Sequence, residues 1–244
     1  MRVLAVIPAR MESTRLPGKP LAMLGGKPMV VHVLDAVRRA RVDHAVVATD
    51  SPAIHEAVLA HGGSCVMTRA DHATGTDRVA EVAAGHPKYD AVLNVQGDEP
   101  LISPEAIDGL MSAFAPQEFA MATLAAPLSE PALLDDPHTV KVAFDAGGRA
   151  RTFSRHPLDR VAGDVPTLHT HIGVYLFRRD FLLGFADLPA SAWERRERLE
   201  QLRALDAGFA IQVVPTDYAP LNVDTPEDLE RVRAAHAARS PCSR

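Results

Sequence analysis

Short apolar runs alternating with amphipathic stretches set the rhythm of the first hundred residues. Val3–Ile7 is a continuous apolar run of strand length. Met29–Ala40 carries Val30, Val33, Leu34 and Val37 at helical spacing and ends on Arg38 and Arg39. Ala45–Thr49 is a second buried-strand pattern, ending at Asp50. Pro52–His61 reads as a helix stopped by Gly62-Gly63, and Ser64–Met67 as a strand. Asp77–Ala84 is helical and Asp90–Val95 a further strand. Alternation of this kind predicts an α/β fold, a mostly parallel Rossmann-like sheet with helices on both faces. Ligands of such sheets meet the carboxyl ends of the strands. The loop after the first strand, Asp50 and Gln96-Gly97-Asp98-Glu99 all lie at such ends.

Ser103–Phe114 opens with Ser-Pro-Glu, a capped helix start. From about residue 119 the pattern loosens. MATLA (121–125), VKVAF (140–144) and IGVYLF (172–177) are strand-like but separated by irregular pieces, notably 155–170. Trp193–Leu205 reads as one charged helix, Ala210–Val214 as a final strand, and Thr225-Pro226-Glu227-Asp228 as a capping-box start to the last helix. These readings predict one domain over 1–244: a core at 1–118, an inserted lobe at about 119–190, and a return to the core at 191–244.

The loop after the first strand changes the picture from fold to chemistry. Arg10, Arg15, Lys19 and Lys27 stand against the single carboxylate of Glu12, among three glycines and four prolines. Glycine lets a ligand approach backbone N–H groups, and proline restricts the loop beforehand. Together they describe a polyphosphate cradle, with a solvated charged loop as the plainer alternative. Both Gly-Lys pairs are followed by proline, so this is no Walker A loop, and the GxGxxG dinucleotide fingerprint is absent. The net charge of −5 argues against nucleic acid as a partner. Cys65 and Cys242 are too few for a disulfide framework, and no run is long enough to span a membrane, so free thiols and a cytoplasmic location are expected.

RxxSTRLPGKP directly after the first strand resembles the signature of the nucleotidyltransferases that make CMP-activated acidic sugars. The resemblance is strongest to the 3-deoxy-manno-octulosonate (Kdo) cytidylyltransferases. It continues through GGKPMVVHV, VATD, MTRADHATGTDR, NVQGDEPLI, MATLA, VKV, FSR, LEQLR and NVDTPEDLERV, in order over nearly the whole chain. It implies a nucleotide-binding core, an inserted sugar-binding and dimerisation lobe, and a homodimer. The implied reaction is CTP + Kdo → CMP-Kdo + pyrophosphate, which activates Kdo for lipopolysaccharide biosynthesis.

By this resemblance Arg10, Ser13, Arg15 and Lys19 hold the triphosphate, with Arg10 and Lys19 neutralising charge as it moves to the leaving group. Asp98 and Asp224 are the expected Mg²⁺ ligands. The alternatives are a surface-turn carboxylate for Asp98 and a helix cap for Asp224. Thr68, Arg69, Gly75 and Thr76 are expected to enclose the cytosine, although Thr-Gly-Thr before a helix is also an ordinary cap. Gln96, Arg155, His171, Tyr175, Glu197, Glu200 and Gln201 fall where the family's sugar contacts fall. A structural histidine is the rival reading for His171, and solvated pairing with Arg196 and Arg203 the rival for the two glutamates. His72 is read as structural.

The departures from the family pattern cluster in one region. After Phe153-Ser154-Arg155 the chain reads HPLDRVAGDVPTLHTHIG, shorter than usual and without Ile-Pro-Trp, and ASAWERRERLEQLR stands where SPLE-type residues are common. Two competing functions follow: transfer to a related acidic sugar (8-amino-Kdo or a nonulosonate), or a non-catalytic CTP-binding regulator.

Overall fold

The computed structural model describes residues 1–13, 15–128, 130–158 and 168–239. The expected positions Cys242 and much of 155–170 lie outside them. Two compact units are present, residues 1–107 together with the chain from Pro220 on, and Asp108–Ala219.

In the first unit β1 (Val3–Ala9) is buried at every position. It leads through a hairpin, β2 (Met23–Leu24) and β3 (Lys27–Pro28), to α1 (Met29–Arg39). Then come β4 (His44–Thr49), α2 (Pro52–Ala60), β5 (Cys65–Met67), α3 (Gly75–Ala84) and β6 (Ala91–Asn94). The strands pair in parallel as β6-β1-β4-β5. Helices cover both faces, so the strands read as continuous apolar runs rather than alternating ones. The hairpin escapes sequence reading because its strands are only two residues long. Its turn has Gly25 at φ 53° and Gly26 at φ 87°, and a Cβ on Gly25 would stand 2.6 Å from the His236 ring. The positive φ favours glycine at both positions, and at Gly25 a Cβ would also displace the His236 ring.

The chain leaves this unit through α4 (Pro104–Ala113). The second unit contains β7 (Met121–Pro127), β8 (Lys141–Phe144), β9 (Ala150–Ser154), β10 (His169–Arg178), α5 (Arg179–Phe185), α6 (Ala192–Glu197), α7 (Gln201–Asp206) and β11 (Ile211–Pro215). Here β11 pairs parallel with β7, whereas β7–β10, β10–β8 and β8–β9 are antiparallel. The β11–β7 pairing places 191–219 in this unit, so the return to the core comes at Pro220 rather than 191. The final helix, α8 (Pro226–Arg239), belongs to the first unit. Its Leu229 and Val232 pack with Leu24, Met29, Leu101 and Val223 in one buried cluster.

The helix expected over 193–205 is two short helices. Ser191 caps α6 with Glu194 in a reciprocal box, and Arg198 then turns left-handed at φ 54°. Glu197 and Leu199 are both buried. Two residues apart on one continuous helix would point to nearly opposite sides, so the break is what buries both. Arg203 on α7 clamps Glu194 of α6 with contacts of 2.6 and 2.9 Å. Glu197 and Glu200 consequently do not share a helix face: Glu197 closes α6, and Glu200 stands at the start of α7. Among the described residues no helix is long and apolar enough to cross a membrane.

Candidate active site

At the carboxyl ends of β1 and β6 lies a cleft of about 730 Å³, the size of a nucleotide-scale ligand site. Its lining includes Arg10, Ser13, Arg15, Lys19, Gly75, Gln96, Asp98 and Asp224, gathered from four separated stretches of the first unit. Gly97 eases this convergence, because a Cβ there would come within 3.1 Å of the Pro8 carbonyl oxygen and press the two segments apart. Gly18, at φ 70°, turns the loop so that Lys19 faces inward.

The centre of the cleft is electrostatic. The Lys19 ammonium lies 2.8 Å from Asp98 Oδ2 and 3.2 Å from Asp224 Oδ1, and Arg15 Nη2 lies 3.0 Å from the same Asp224 oxygen. A backbone bond from Val223 N–H to the Asp98 carbonyl, 3.0 Å, pins the two acidic segments side by side. The capping alternative for Asp224 does not hold. Asp228 Oδ2 accepts from the N–H groups of Asp224 and Thr225 at 3.0 and 2.9 Å, and Thr225 Oγ1 accepts from Asp228 N–H. Thr225 and Asp228 cap α8 by themselves, leaving the Asp224 carboxylate to the cations of the cleft.

The segment expected to enclose a base is partly redistributed. Gly75 lines the cleft, but Thr76 is buried within α3, Arg69 is largely exposed with Asp71 and Glu81 as its ion partners, and Thr68 accepts a 2.5 Å bond from Arg78. Arg78 was not among the residues expected to meet ligand. This buried arginine also lies 3.5 Å from Asp50 and lines the cleft. Its sequence signal was its place as the last residue of MTRADHATGTDR, a cation in the first turn of α3. His72 also lines the cleft, with its Nε2 bonded to the Glu81 carboxylate. Burial raises the Glu81 carboxyl pKa, but the bonds from His72 and from Arg69 N–H outweigh it and hold it below the usual range. Gln96, expected among the sugar contacts, lines this same cleft and donates to Asn94 Oδ1 at 2.9 Å.

The second unit gathers the other expected sugar residues. Arg155 follows β9 and is fixed at three points. Its N–H donates to Glu197 Oε2 (2.9 Å), its Nε to the Glu197 carbonyl (3.0 Å) and its Nη1 to the Pro137 carbonyl (3.1 Å). The Glu197 carboxylate also accepts from Ser154 Oγ at 3.3 Å. It is a buried anchor for Arg155 rather than a solvated charge. His171 and Tyr175 on β10 have ring centroids 5.5 Å apart. Their Cα atoms would be about 13 Å apart on a regular strand. The ladder shifts register between Ile172 and Tyr175, and buried Thr123 of β7 fills the irregularity, its Oγ1 reaching the Ile172 and Val174 carbonyls at 3.0 and 2.8 Å.

His171 Nε2 lies 3.0 Å from the same hydroxyl. That hydroxyl has one proton, which faces carbonyls, so Nε2 donates and Nδ1 keeps its lone pair. Burial, with Arg155 nearby, pushes the His171 pKa down to about 3, so the ring is neutral. Burial likewise raises the Tyr175 hydroxyl, with Glu200 adding to the effect. The side-chain nitrogen of Gln201 is buried and has no hydrogen-bond partner among the described residues. Cys65 is a free thiol whose pKa burial pushes up to about 11.

Comparison with known proteins follows the same line. The profile of the family described as Cytidylyltransferase matches residues 4–212, which defines the class. A 3-deoxy-manno-octulosonate cytidylyltransferase of Syntrophotalea carbinolica is 48% identical, covering 96% of this chain and 98% of its own. One from Leptospira biflexa is 46% identical with 95% of each chain covered. The solved structure of CMP:2-keto-3-deoxy-manno-octonic acid synthetase complexed with CTP superposes with a TM-score of 0.92 at 39% identity, covering 98% of this chain and all of that one. The inositol-1-phosphate CTP transferase of T. maritima, 19% identical with a TM-score of 0.68 over 96% of this chain and 94% of its own, shares the fold. The chain belongs to the cytidylyltransferase family, in the branch of the 3-deoxy-manno-octulosonate cytidylyltransferases.

Proposed function

We propose that the protein transfers the cytidylyl group of CTP to Kdo, releasing pyrophosphate and forming CMP-Kdo for lipopolysaccharide biosynthesis in the cytoplasm. The observation that carries this reading is the pair of carboxylates, Asp98 and Asp224, held around one cation beneath a basic, glycine-bearing loop. The sugar's anomeric hydroxyl oxygen would form the new bond to the α-phosphorus as the bond to the β-phosphate oxygen breaks. Arg10, Ser13, Arg15 and Lys19 hold the triphosphate and meet the charge that moves onto pyrophosphate. Reaction without a covalent enzyme intermediate fits this residue set.

The site suits Mg²⁺. Asp98 and Asp224 already share a cation, the Lys19 ammonium, and among the described residues no cluster of three or more acidic, His or Cys ligands competes with them. Two carboxylates with the remaining positions left to phosphate and water are the usual arrangement for this ion. When bound there, Mg²⁺ supplies charge neutralisation at phosphate oxygens and acidifies the attacking hydroxyl. Lys19 exchanges its carboxylate partners for phosphate oxygens as nucleotide enters.

Arg155 presents its guanidinium to the sugar carboxylate, neutral His171 accepts from a sugar hydroxyl at Nδ1, and Gln201 and Tyr175 donate. Gln96 is a further donor to substrate, placed in the nucleotide cleft of the first unit. Assembly as a homodimer is part of this reading and is checked by sedimentation. The test of function is pyrophosphate release from CTP and Mg²⁺ with and without Kdo. Release that requires Kdo supports the proposal. Release only with another acidic sugar moves the substrate, and CTP binding with no release from any sugar overturns transfer.

A further inference from the structure

The feature left unused so far is Lys141, among the large side chains of the described residues that are fully buried and the one lysine in that group. A lysine with no solvent exposure needs a reason, since stripping water from an ammonium costs several kcal/mol in a protein interior (roughly, after relaxation). Among the described residues Lys141 has no carboxylate within hydrogen-bond distance. Its three N–H bonds run to three backbone carbonyls: Asp136 O at 2.9 Å, Thr139 O at 2.9 Å and Arg155 O at 2.7 Å. That uses every donor of the ammonium and nothing else. The charged groups around it are Asp136, Asp135 and Glu197, which favour its charge, and Arg155, which opposes it; burial is the larger effect and lowers its pKa.

The three carbonyls are not an arbitrary set. One is that of Arg155 itself. The other two bracket the turn 136–139, whose Pro137 carbonyl takes the Nη1 bond of the Arg155 side chain. The turn is closed independently by Asp136, which accepts from His138 N–H at 2.9 Å and Thr139 Oγ1 at 2.8 Å. Lys141 thus ties the backbone of Arg155 to the turn that holds its guanidinium, while Glu197 grips the same residue from the other side. Through these contacts the Nε–H and one N–H of Nη1 are taken by carbonyls, and Nη2 makes no hydrogen bond among the described residues. An arginine fixed at both ends, with Nη2 uncommitted, is pre-aimed to donate charge-assisted hydrogen bonds to a carboxylate.

We propose that Lys141 is a positioning residue for Arg155, holding its guanidinium ready for the carboxylate of the acidic sugar. The inference rests on the sugar role given to Arg155 above. It differs from a purely structural role in being selective: the nucleotide cleft of the first unit contains neither residue.

The test uses the whole protein and whichever acidic sugar the wild type turns over. Lys141→Met removes the three donors and keeps the length. It should raise KM for the sugar at least tenfold, leave KM for CTP within twofold, and add little to Arg155→Ala in the double variant. Lys141→Arg keeps the charge and should restore part of the sugar KM. If Lys141→Met does not fold, Asp136→Ala loosens the same turn from the surface and should give the same selective rise. Equal losses toward both substrates, or effects that multiply with Arg155→Ala, overturn the positioning role. So does an Arg155→Ala variant whose sugar KM is unchanged, while wild-type turnover keeps the reaction itself intact.

Discussion

Asp98 and Asp224 are held by their backbones and shared by a lysine, which makes them separable from the residues that stabilise the local structure. Asp224→Asn should lower transfer by at least about 100-fold, the scale of losing one electrostatic contact to a reacting group. Its melting temperature should stay within 1–2 °C (roughly) of wild type, because α8 is capped by Thr225 and Asp228. Asp228→Ala should do the reverse, losing about 1 kcal/mol of stability with Asp224 still in place. Paired thermal melts and pyrophosphate assays read both. At this scale the sequence was most informative where a side chain meets ligand and least where it meets another side chain. Arg10 and Lys19 were legible because a loop packed with cations and glycine has no core to cover, and Asp98 because it stands just past the carboxyl end of an apolar strand. Arg78 and His72 were not, because their placement in the cleft depends on Asp50, Thr68 and Glu81, partners that spacing along the chain does not reveal.

Elements were legible where one period persisted. The buried parallel strands of the first unit read as uninterrupted apolar runs, and α1 as a stripe of valines and leucine. The break at Arg198 was invisible because neither Gly nor Pro marks it and every neighbour favours helix. It exists because Ser191 and the Glu194–Arg203 clamp turn the chain so that both Glu197 and Leu199 go inside. Arg198→Gly should therefore stabilise the protein by about 0.5–1 kcal/mol, since glycine adopts positive φ without the Cβ penalty; urea unfolding measures it. On β10 the irregularity depends on Thr123, a residue with no functional signature. Thr123→Val leaves buried carbonyls unpaired and should cost about 1–3 kcal/mol, with a rise in sugar KM as His171 loses its fixed tautomer.

Over the whole molecule, charge and ligand linkage govern stability. A net charge of −5 is compatible with a polyanionic substrate only because cations are concentrated at one cleft. CTP at about 100 times its dissociation constant should add about 2.7 kcal/mol to stability. A nucleotide whose base the cleft rejects should add less at equal concentration, as scanning calorimetry would register.

Acid should act in the opposite direction through His171. Its folded pKa of about 3 lies below the ordinary histidine value of 6.5, so between those values the unfolded chain binds more protons. Stability should fall as the pH is lowered from about 6.5 toward 3, by at most about 1.4 kcal/mol per pH unit from this group. His171→Asn should flatten that slope in melts taken across the same range.

The most direct test of the central claim is ³¹P observation of a single reaction containing CTP, Mg²⁺, Kdo and the wild-type protein, with Asp98→Asn beside it. The account predicts a new phosphodiester resonance that grows with pyrophosphate, one for one, and is missing in the variant. Pyrophosphate or phosphate appearing without that resonance, or the resonance growing at the wild-type rate in Asp98→Asn, would contradict it.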